Sequence, residues 1–463
     1  MRRFSAFSLI LLATIATVPT TAAAAPLVVP YSRFVLPNGL TVIIHEDHSI
    51  PRVHTTLRFE TGSSREVPGR TGFAHLFEHL MFEGSKHVPE GSFDRWLSSV
   101  GGENNAYTSQ DATVYYEEVP SNALELPLFL ESDRLAYFVD QLAPDIVDGQ
   151  RDVVKNERRQ SYENRPYAKA QLLMPGLLYP QGHPYSWPVI GSMSDLSAAS
   201  VEDVKEFYRA WYRPSNATLA ITGDVDTERA RALVEKWFAD VPSREAPPPP
   251  ATPAPVQLAA ETRAYVEDTV ELPKLIIAWP TVPVFHPSDA SLDLLANVLA
   301  DGMNSRLYEK LVYDLQVAQS VVAYQQSLAL GGNFTIEVTA RPGNELDKIL
   351  KLVDREIERV VRDGITDREL ERSRNGIETS FYDALQDIGA KADHLAFYSA
   401  RAGNPDYFQE DLTRYRAAAP SDVQEAAARW LTKGRVVMSV VPTGKADLAP
   451  PSSKLAAVTE VAQ

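Results

Sequence analysis

A His-x-x-Glu-His pattern at residues 75–79 is the feature of this chain best suited to catalysis, and it lies in a stretch with helical apolar spacing, residues 74–82. On a helix, His75 and His79 lie one turn apart on the same face, so both imidazoles can reach a single metal ion. Glu78 lies beside that face, where a carboxylate can act as the general base for a water molecule activated by the metal. The alternative is two surface histidines on an ordinary amphipathic helix.

A catalytic zinc site usually takes three protein ligands. The chain contains no cysteine, so a third ligand has to be a histidine or a carboxylate. Glu157 is the best candidate, because helical spacing over residues 150–161 puts it on the apolar face with Gln150 and Val154, while the basic residues lie off that face. A buried carboxylate is costly unless it is paired or bound to metal. An internal salt bridge with an arginine explains the same position equally well.

The N-terminus has the three regions of a secretory signal peptide: the basic start Met1-Arg2-Arg3, an apolar run over residues 7–18, and small residues that end near Ala25. We expect a signal peptide at residues 1–25 and secretion into the periplasm of a Gram-negative bacterium. No later stretch reaches the roughly 18 apolar residues of a membrane helix, so we expect no membrane insertion.

The chain is acidic. Its formal net charge is −16, which becomes −18 without the two arginines of the leader. This charge argues against nucleic acid as a partner and suits basic or neutral peptides better. An acidic surface that only keeps a secreted protein in solution is an equally good explanation.

The proline-rich segment 246–257 divides the chain nearly in half, because it favours neither a helix nor a central strand. Residues 197–211 resemble residues 417–430, with Trp211 and Trp430 separated by 219 positions. The His-x-x-Glu-His segment aligns with Asp293, Ala296 and Asn297 at an offset of 218. We therefore expect two homologous domains, residues 26–245 and 258–443, joined by a linker and followed by a disordered tail, residues 444–463.

Each half mixes strands with long helices. An Asn-Gly turn at residues 38–39 predicts a β-hairpin, and further apolar runs predict strands over residues 53–59, 112–116, 274–279, 318–324 and 334–340. Helical spacing covers residues 122–138, 146–162, 346–362 and 368–385. The pattern predicts an α+β fold in which each half is a mainly antiparallel sheet covered by helices on one face.

With these residues in place, the chain resembles the pitrilysin and insulinase type of zinc metallopeptidase, the inverzincins, and in particular the short members similar to the mitochondrial processing peptidase. In that family a glutamate some 75 to 80 residues after the inverted motif completes the zinc site. Glu157 lies 78 residues after His79, in the segment Val-Lys-Asn-Glu-Arg-Arg at 154–159. The resemblance implies the family's two-domain fold, a Zn²⁺ ion held by His75, His79 and Glu157, and endopeptidase activity.

Further matches to the family lie at residues 101–108, 183–191 and 212–216. The resemblance implies that Asn105 and Ala106 begin an edge strand that pairs with an extended substrate peptide. It also implies that Phe82 shapes the pocket for the residue just after the scissile bond. The residues alone favour a turn residue after two glycines at Asn105, and they fit an ordinary core residue at Phe82 equally well.

Two departures from the family pattern affect these expectations. Gln150 stands where active relatives usually carry a second, assisting glutamate, and a neutral amide cannot supply that charge. Tyr313 and Gln319 stand where the family has an arginine and a tyrosine that bind substrate near the metal. The resemblance therefore suggests that this chain is the zinc-holding subunit of a two-chain peptidase, facing a homologous partner that supplies the Arg/Tyr pair, or a second copy of itself.

The predicted function is hydrolysis of extended peptides or small unfolded polypeptides by a zinc metalloendopeptidase. The alternative is a scaffold subunit that keeps the peptidase fold without activity, which the missing pair and Gln150 would fit. A complete metal set argues against the scaffold, because the second half shows how such a set is lost. A zinc hydrolase of small molecules fits a duplicated chain with a peptide-binding edge less well.

Overall fold

The computed structural model describes residues 27–247, 252–431 and 433–457. The expected signal peptide lies outside these ranges, as do residues 248–251 of the proline-rich linker. Among the described residues, no helix has both the length and the apolar character needed to cross a membrane.

Two six-stranded sheets form the centres of the two halves. The first contains, in spatial order, β1 (Ser32–Val35), β2 (Thr41–Glu46), β6 (Ala217–Gly223), β3 (Arg52–Phe59), β5 (Thr113–Pro120) and β4 (Glu103–Thr108). The second contains β12 (Lys454–Leu455), β7 (Thr262–Asp268), β11 (Val436–Pro442), β8 (Lys274–Thr281), β10 (Gly332–Ala340) and β9 (Ala318–Ser327). The pairs β2/β6, β7/β11 and β7/β12 are parallel and the others antiparallel.

Helices follow the strands in each half. The first half has α1 (Phe73–Leu80), α2 (Ser92–Ser99), α3 (Glu125–Gln141), α4 (Pro144–Arg158), α5 (Lys169–Leu178), α6 (Met193–Ala198), α7 (Val201–Trp211) and α8 (Thr227–Phe238). The second half has α9 (Asp289–Ala300), α10 (Leu346–Asp363), α11 (Asp367–Ala384), α12 (Ile388–Arg401), α13 (Phe408–Ala417) and α14 (Pro420–Trp430). Short π-helical segments span Arg159–Glu163 and Tyr308–Asp314.

The two halves are copies of one arrangement. Strands β2, β6, β3, β5 and β4 of the first sheet occur in the same order as β7, β11, β8, β10 and β9 of the second. In both, a parallel pair stands at one side and a chain of antiparallel strands leads to the edge. The α+β fold of two homologous halves expected from the sequence is confirmed, as is the hairpin, in which Val35 pairs with Thr41.

Each sheet is covered on its second face by a helix from the other half. Ala170 of α5, in the first half, is buried against Ala264 and Met438 of the second sheet. Reciprocally, α12 of the second half packs on β3 and β6, with Leu395 buried against Ile43. The expectation that helices cover only one face is therefore wrong, because the apolar pattern of a strand does not show which half supplies its cover.

Two other expectations need correction. Residues 444–457 are ordered rather than disordered: β12 pairs in parallel with β7 at Ala264 and Tyr265, which fixes a segment without apolar periodicity through its backbone. The helix predicted over residues 146–162 ends as an α-helix at Arg158 and continues as a π-helical segment to Glu163. Strand β4, expected from the family resemblance, is the edge of the first sheet.

Candidate metal centre

Helix α1 carries the His-x-x-Glu-His residues, and the fold fixes its first turn. It starts after Gly72, which has a φ of 87°. The buried carboxylate of Glu66 accepts hydrogen bonds from the backbone N–H groups of Gly72 (3.0 Å) and Ala74 (2.8 Å), two donors that an α-helix leaves unpaired at its start. Leu76 and Phe77 are buried in the core of the first half, so the opposite side of α1 faces α4.

The two histidines meet Glu157, which lies in the last turn of α4. The Nε2 atoms of His75 and His79 are 3.6 Å and 3.2 Å from Oε2 of Glu157. The two imidazole rings are 4.8 Å apart between centroids. The structure thus brings together the three residues that the sequence predicted as ligands, although they come from helices about 80 positions apart.

The donor atoms suit a tetrahedral zinc site. All three lie within 4.8 Å of one another. Zinc bonds of about 2.0–2.2 Å in a tetrahedron put neighbouring ligand atoms roughly 3.3 Å apart, close to both measured separations. Two imidazoles and a carboxylate, with no thiolate in the chain, are the donor set of a catalytic zinc centre that keeps a position for water. The residues present therefore fit the ion.

The protonation states at this site favour metal binding. Burial lowers the pKa of His75 to about 4, against the opposing effect of Glu157, so its imidazole is neutral near pH 7. The hydrogen bond with His79 lowers the pKa of Glu157, which keeps that carboxylate charged. The side chain of Glu157 is 37% exposed and that of His79 is 24% exposed, so the centre opens to solvent.

Glu78 lies next to the three donors without belonging to them. The hydroxyl of Thr108, at the end of β4, donates a 2.5 Å hydrogen bond to Oε2 of Glu78. Burial raises the pKa of Glu78, and the Thr108 hydrogen bond acts in the opposite direction. A half-buried carboxylate with a raised pKa beside a metal site is a suitable general base.

A cleft of about 260 Å³ opens beside these residues and is lined by Glu78, His79, Phe82, Asp94, Asn104 and Asn105. Of the three predicted substrate-binding residues, Asn105 and Phe82 line the cleft. Ala106, the next residue of the edge strand, packs against the core. Phe82 also packs against Phe93 and Tyr115, so it takes part in both the pocket and the core.

Of the three residues that depart from the family pattern, Gln150 lies near the metal centre, and Tyr313 and Gln319 lie in the second half. The side-chain amide of Gln150 donates a 2.6 Å hydrogen bond to Oε1 of Glu83, which follows Phe82. Tyr313 is 74% exposed in the π-helical segment of the second half. Gln319 is exposed on β9, the edge strand of the second sheet. Tyr313 and Gln319 thus offer a phenol and an amide to solvent where the resemblance implies an arginine and a tyrosine.

The second half has a cavity of about 530 Å³ at the position that corresponds to the metal centre. Its walls include Asp293 and Asn297 in place of the histidines and Ala296 in place of Glu78. Burial raises the pKa of Asp293 to about 7, and Tyr415 donates a 2.8 Å hydrogen bond to its carboxyl group. The duplication has therefore kept the cavity and lost the zinc donors.

Sequence reasoning did not single out Thr108 as a functional residue. It lies within the segment 101–108, where the resemblance drew attention to Asn105 and Ala106. The alternation of side chains along a strand puts Thr108 on the same face as Ala106, which turns toward α1. Once β4 is placed beside α1, this alternation is the signal that could have identified Thr108.

Comparison with known sequences decides the family. The model described as Insulinase (Peptidase family M16) matches residues 41–178, and the model described as Peptidase M16 inactive domain matches residues 198–377. Together they span well over half of the chain. The chain belongs to the insulinase, or M16, family. The first M16 match contains His75, His79 and Glu157, and the second covers most of the half that has lost them.

Curated M16 relatives are named as zinc proteases. The zinc protease PqqE of Helicobacter pylori is 28% identical over 370 residues, which cover 78% of this chain and 82% of that protein. The uncharacterized zinc protease YmxG of Bacillus subtilis is 24% identical over 417 residues, 89% of this chain and 98% of that protein. These names support a peptidase-type hydrolase.

Solved structures share the fold. A protease from Helicobacter pylori superposes with a TM-score of 0.84 at 24% identity, over 90% of this chain and all of that chain. The periplasmic protease PqqL of Escherichia coli gives a TM-score of 0.74 at 21% identity, over 90% of this chain and 48% of that chain. PqqL is thus about twice as long as the matched region.

Proposed function

We propose that this protein is a zinc-dependent endopeptidase that cleaves extended peptides or small unfolded polypeptides. The observation that carries the proposal is the meeting of two imidazoles and a carboxylate at 3.2–3.6 Å, beside a second acidic side chain, Glu78, that is not one of the three donors. A structural salt bridge would explain Glu157 but not the position of Glu78, which lies in the same cleft on a hydrogen bond to Thr108.

The chain's own residues divide the chemistry between them. His75, His79 and Glu157 hold the ion. When bound, zinc supplies Lewis-acid chemistry, because it lowers the pKa of water toward about 7 and polarises a carbonyl group. Glu78 takes a proton from the attacking water and later delivers it to the amine nitrogen that leaves. Because Thr108 occupies Oε2 of Glu78, Oε1 is the oxygen free to carry that proton.

An extended peptide suits the surroundings of the centre. Strand β4 is the edge of a six-stranded sheet and leads into the cleft through Asn105. An edge strand can pair with a substrate backbone, which holds it largely independently of sequence. The exposure of Glu157 and His79 leaves room for a polypeptide that passes across the metal.

Two chains would complete the active enzyme in this proposal. Tyr313 and Gln319 replace the substrate-binding pair implied by the family, and the chain matches about half of the length of PqqL. We propose that a homologous partner, or a second copy, faces the open cleft and supplies the missing groups. The proposed location is the periplasm, supported by the signal-like N-terminus and by the description of PqqL as periplasmic.

The second candidate is a scaffold subunit without activity. It is favoured by Gln150, whose amide bonds to Glu83 at a position where the resemblance implies a catalytic carboxylate. The two candidates differ in their response to a single substitution in the base.

Glu78→Gln removes the base and keeps the three donors, so we expect full zinc content and no cleavage of a reduced, alkylated polypeptide. Glu157→Gln should lose both the bound zinc and the cleavage activity. Glu206→Gln, at an exposed side chain, is the matched control and should behave as wild type. Wild-type protein that holds zinc but cleaves nothing, alone or with a homologous partner, would favour the scaffold. Cleavage by Glu78→Gln would refute the assigned base.

A further inference from the structure

A fully buried arginine lies behind the wall of the cleft. The side chain of Arg134, on α3, is 1% exposed. Its guanidinium carbon lies 4.2 Å from the ring centroid of Tyr115, 4.7 Å from that of Phe93 and 5.2 Å from that of Phe82. These distances are those of cation–π contacts, which are strongest when the cation is removed from water.

Two carboxyl groups accept hydrogen bonds from this cation. Nε of Arg134 donates a 2.8 Å hydrogen bond to Glu131, and a terminal nitrogen donates to Glu117 at 3.4 Å. Glu117 also accepts a 2.7 Å hydrogen bond from Thr55. Burial and the neighbouring Glu131 raise the pKa of Glu117 well above its usual range, which favours the neutral form of Glu117 beside the ion pair of Arg134 and Glu131. A neutral cluster can stay buried without a net charge in the core.

Only one of the three rings reaches the cleft. Tyr115 and Phe93 are 0% and 3% exposed, whereas Phe82 is half-buried and lines the cleft beside Glu78 and His79. Phe82 follows the last turn of α1 and packs edge-to-face on Phe93. The guanidinium is therefore the group directly behind the apolar surface that a substrate side chain would contact.

We infer that Arg134 is a positioning residue that fixes the ring of Phe82 and thereby determines which substrate side chain the cleft admits. This inference rests on the proposed peptidase function. A planar guanidinium can contact three rings and donate two hydrogen bonds to Glu131 at the same time, whereas an ammonium group of the same charge cannot. Loss of that plane should release Phe82 into a different position while the metal donors, which are held between α1 and α4, stay in place.

The test compares cleavage of two peptides that differ only in the residue after the scissile bond, phenylalanine or alanine, with the bond first mapped by mass spectrometry on wild-type protein. Arg134→Lys keeps the charge. The double variant Arg134→Met with Glu131→Gln keeps the core neutral, so that folding is preserved. Phe82→Ala alters the wall directly, and Arg209→Met, at an exposed arginine paired with Glu202, is the matched control.

We expect the ratio of kcat/KM for the two peptides to change about tenfold in the Arg134 variants, in the same direction as in Phe82→Ala, with zinc content unchanged. The ratio cancels the amount of folded enzyme, so a merely structural loss would leave it constant. A wild-type ratio in both Arg134 variants, alongside a changed ratio in Phe82→Ala, would overturn the inference.

A crystal structure of Arg134→Lys gives a second measurement that needs no cleavage. A displaced Phe82 ring beside unmoved His75 and His79 supports the inference. A ring in the wild-type rotamer and position refutes it, even if the proposed peptidase function fails for other reasons. Failure of that function alone would appear as wild-type protein that cleaves neither peptide.

Discussion

The contact between Thr108 and Glu78 links the edge strand to the proposed base. Thr108 is the last residue of β4, and its hydroxyl donates to one carboxylate oxygen of Glu78. A peptide that pairs with β4 would therefore bind the same strand that orients the base. In the proposed mechanism, substrate alignment and the orientation of the base thus depend on one short strand.

Thr108→Val removes this hydrogen bond and keeps the shape of the side chain. We expect kcat to fall about tenfold with little change in KM, because the base is misoriented while the substrate-binding groups remain. Zinc content should not change. Thr108→Ser restores the hydroxyl and should restore kcat. Steady-state kinetics test this prediction. Equal kcat values for the valine and serine variants would show that the Thr108 hydroxyl does not orient Glu78.

Asp293 gives a prediction about pH. Its pKa is raised from 3.8 to about 7 by burial first and by Asp289 second. The folded protein therefore keeps a proton that the unfolded chain releases, so stability falls as pH rises from about 4 to 7, by up to about 1.4 kcal/mol per pH unit for this group. Asp293→Asn should remove that contribution.

The measurement is the thermal midpoint of wild type and variant at pH 5 and pH 7. The wild-type midpoint should fall more between these pH values than that of Asp293→Asn. Asp301→Asn, at an exposed aspartate of the same cavity, is the control and should keep the wild-type difference. Identical pH responses in wild type and Asp293→Asn would contradict a raised pKa.

The sequence predicted the donors at the residue scale because metal ligands on helices produce a recognisable local spacing. His75 and His79 share a helix face, and Glu157 is a carboxylate on an apolar stripe. Residue spacing alone could not separate a ligand from a salt bridge at Glu157. Thr108 and Arg134 left no comparable mark, since their roles depend on contacts between elements that are distant in sequence.

At the scale of elements, the start of α1 depends on a close backbone approach. A Cβ atom on Gly191 would lie 2.4 Å from Cα of Gly72 and 2.5 Å from its nitrogen, and Gly191 has a φ of 73°. Gly72 is the residue before α1, so any displacement there moves the helix that carries His75 and His79.

Gly191→Ala should therefore lower zinc affinity at least about tenfold, because small shifts of the donors are costly at a metal site. Gly182→Ala is the matched control: its φ is 83°, and in the described part of the chain no atom beyond the two neighbouring residues lies within 4 Å of the added methyl group. The control should lose about 1 kcal/mol of stability through strain alone and keep wild-type zinc affinity. Competition with a chromogenic chelator measures the zinc affinity of both variants. Equal affinities would refute the proposed dependence of the zinc site on the close approach of Gly191 to Gly72.

Predicted elements agree best where apolar spacing is strong. Strand β10 and helix α10 lie within a residue or two of the ranges that periodicity indicated. Strand β7 was not predicted, because its Thr262-Arg263 start and Glu267-Asp268 end dilute the apolar signal. The π-helical turn after Arg158 also has no sequence signature, since it changes hydrogen bonding without changing the side-chain pattern.

At the scale of the molecule, the exchanged helices bind the halves to each other. A chain of residues 26–247 alone would expose the face of β3 and β6 that α12 covers, and would leave α5 without its sheet. We expect this fragment to aggregate in size-exclusion chromatography. Co-expression with residues 252–463 should restore a soluble complex with full zinc content. A monomeric, zinc-binding first half would contradict this dependence.

The sequence predicted the duplication but not the exchange. The repeat at an offset of 219 and the proline-rich segment indicated two equal halves. The amphipathic pattern of α5 shows that one face is buried, not which sheet buries it. Long-range pairing of this kind follows from three-dimensional packing and has no local signal.

The exchanged helices also constrain how such a chain arose. A single half with this topology does not cover both faces of its own sheet, so two halves on separate chains would have to associate as a symmetric pair in which each lends a helix to the other. We propose that the chain is the fused form of such a swapped homodimer, in which only the first half carries the three candidate zinc donors. A dimer of the present chain would then be a tetramer of ancestral units that retains two metal centres out of four.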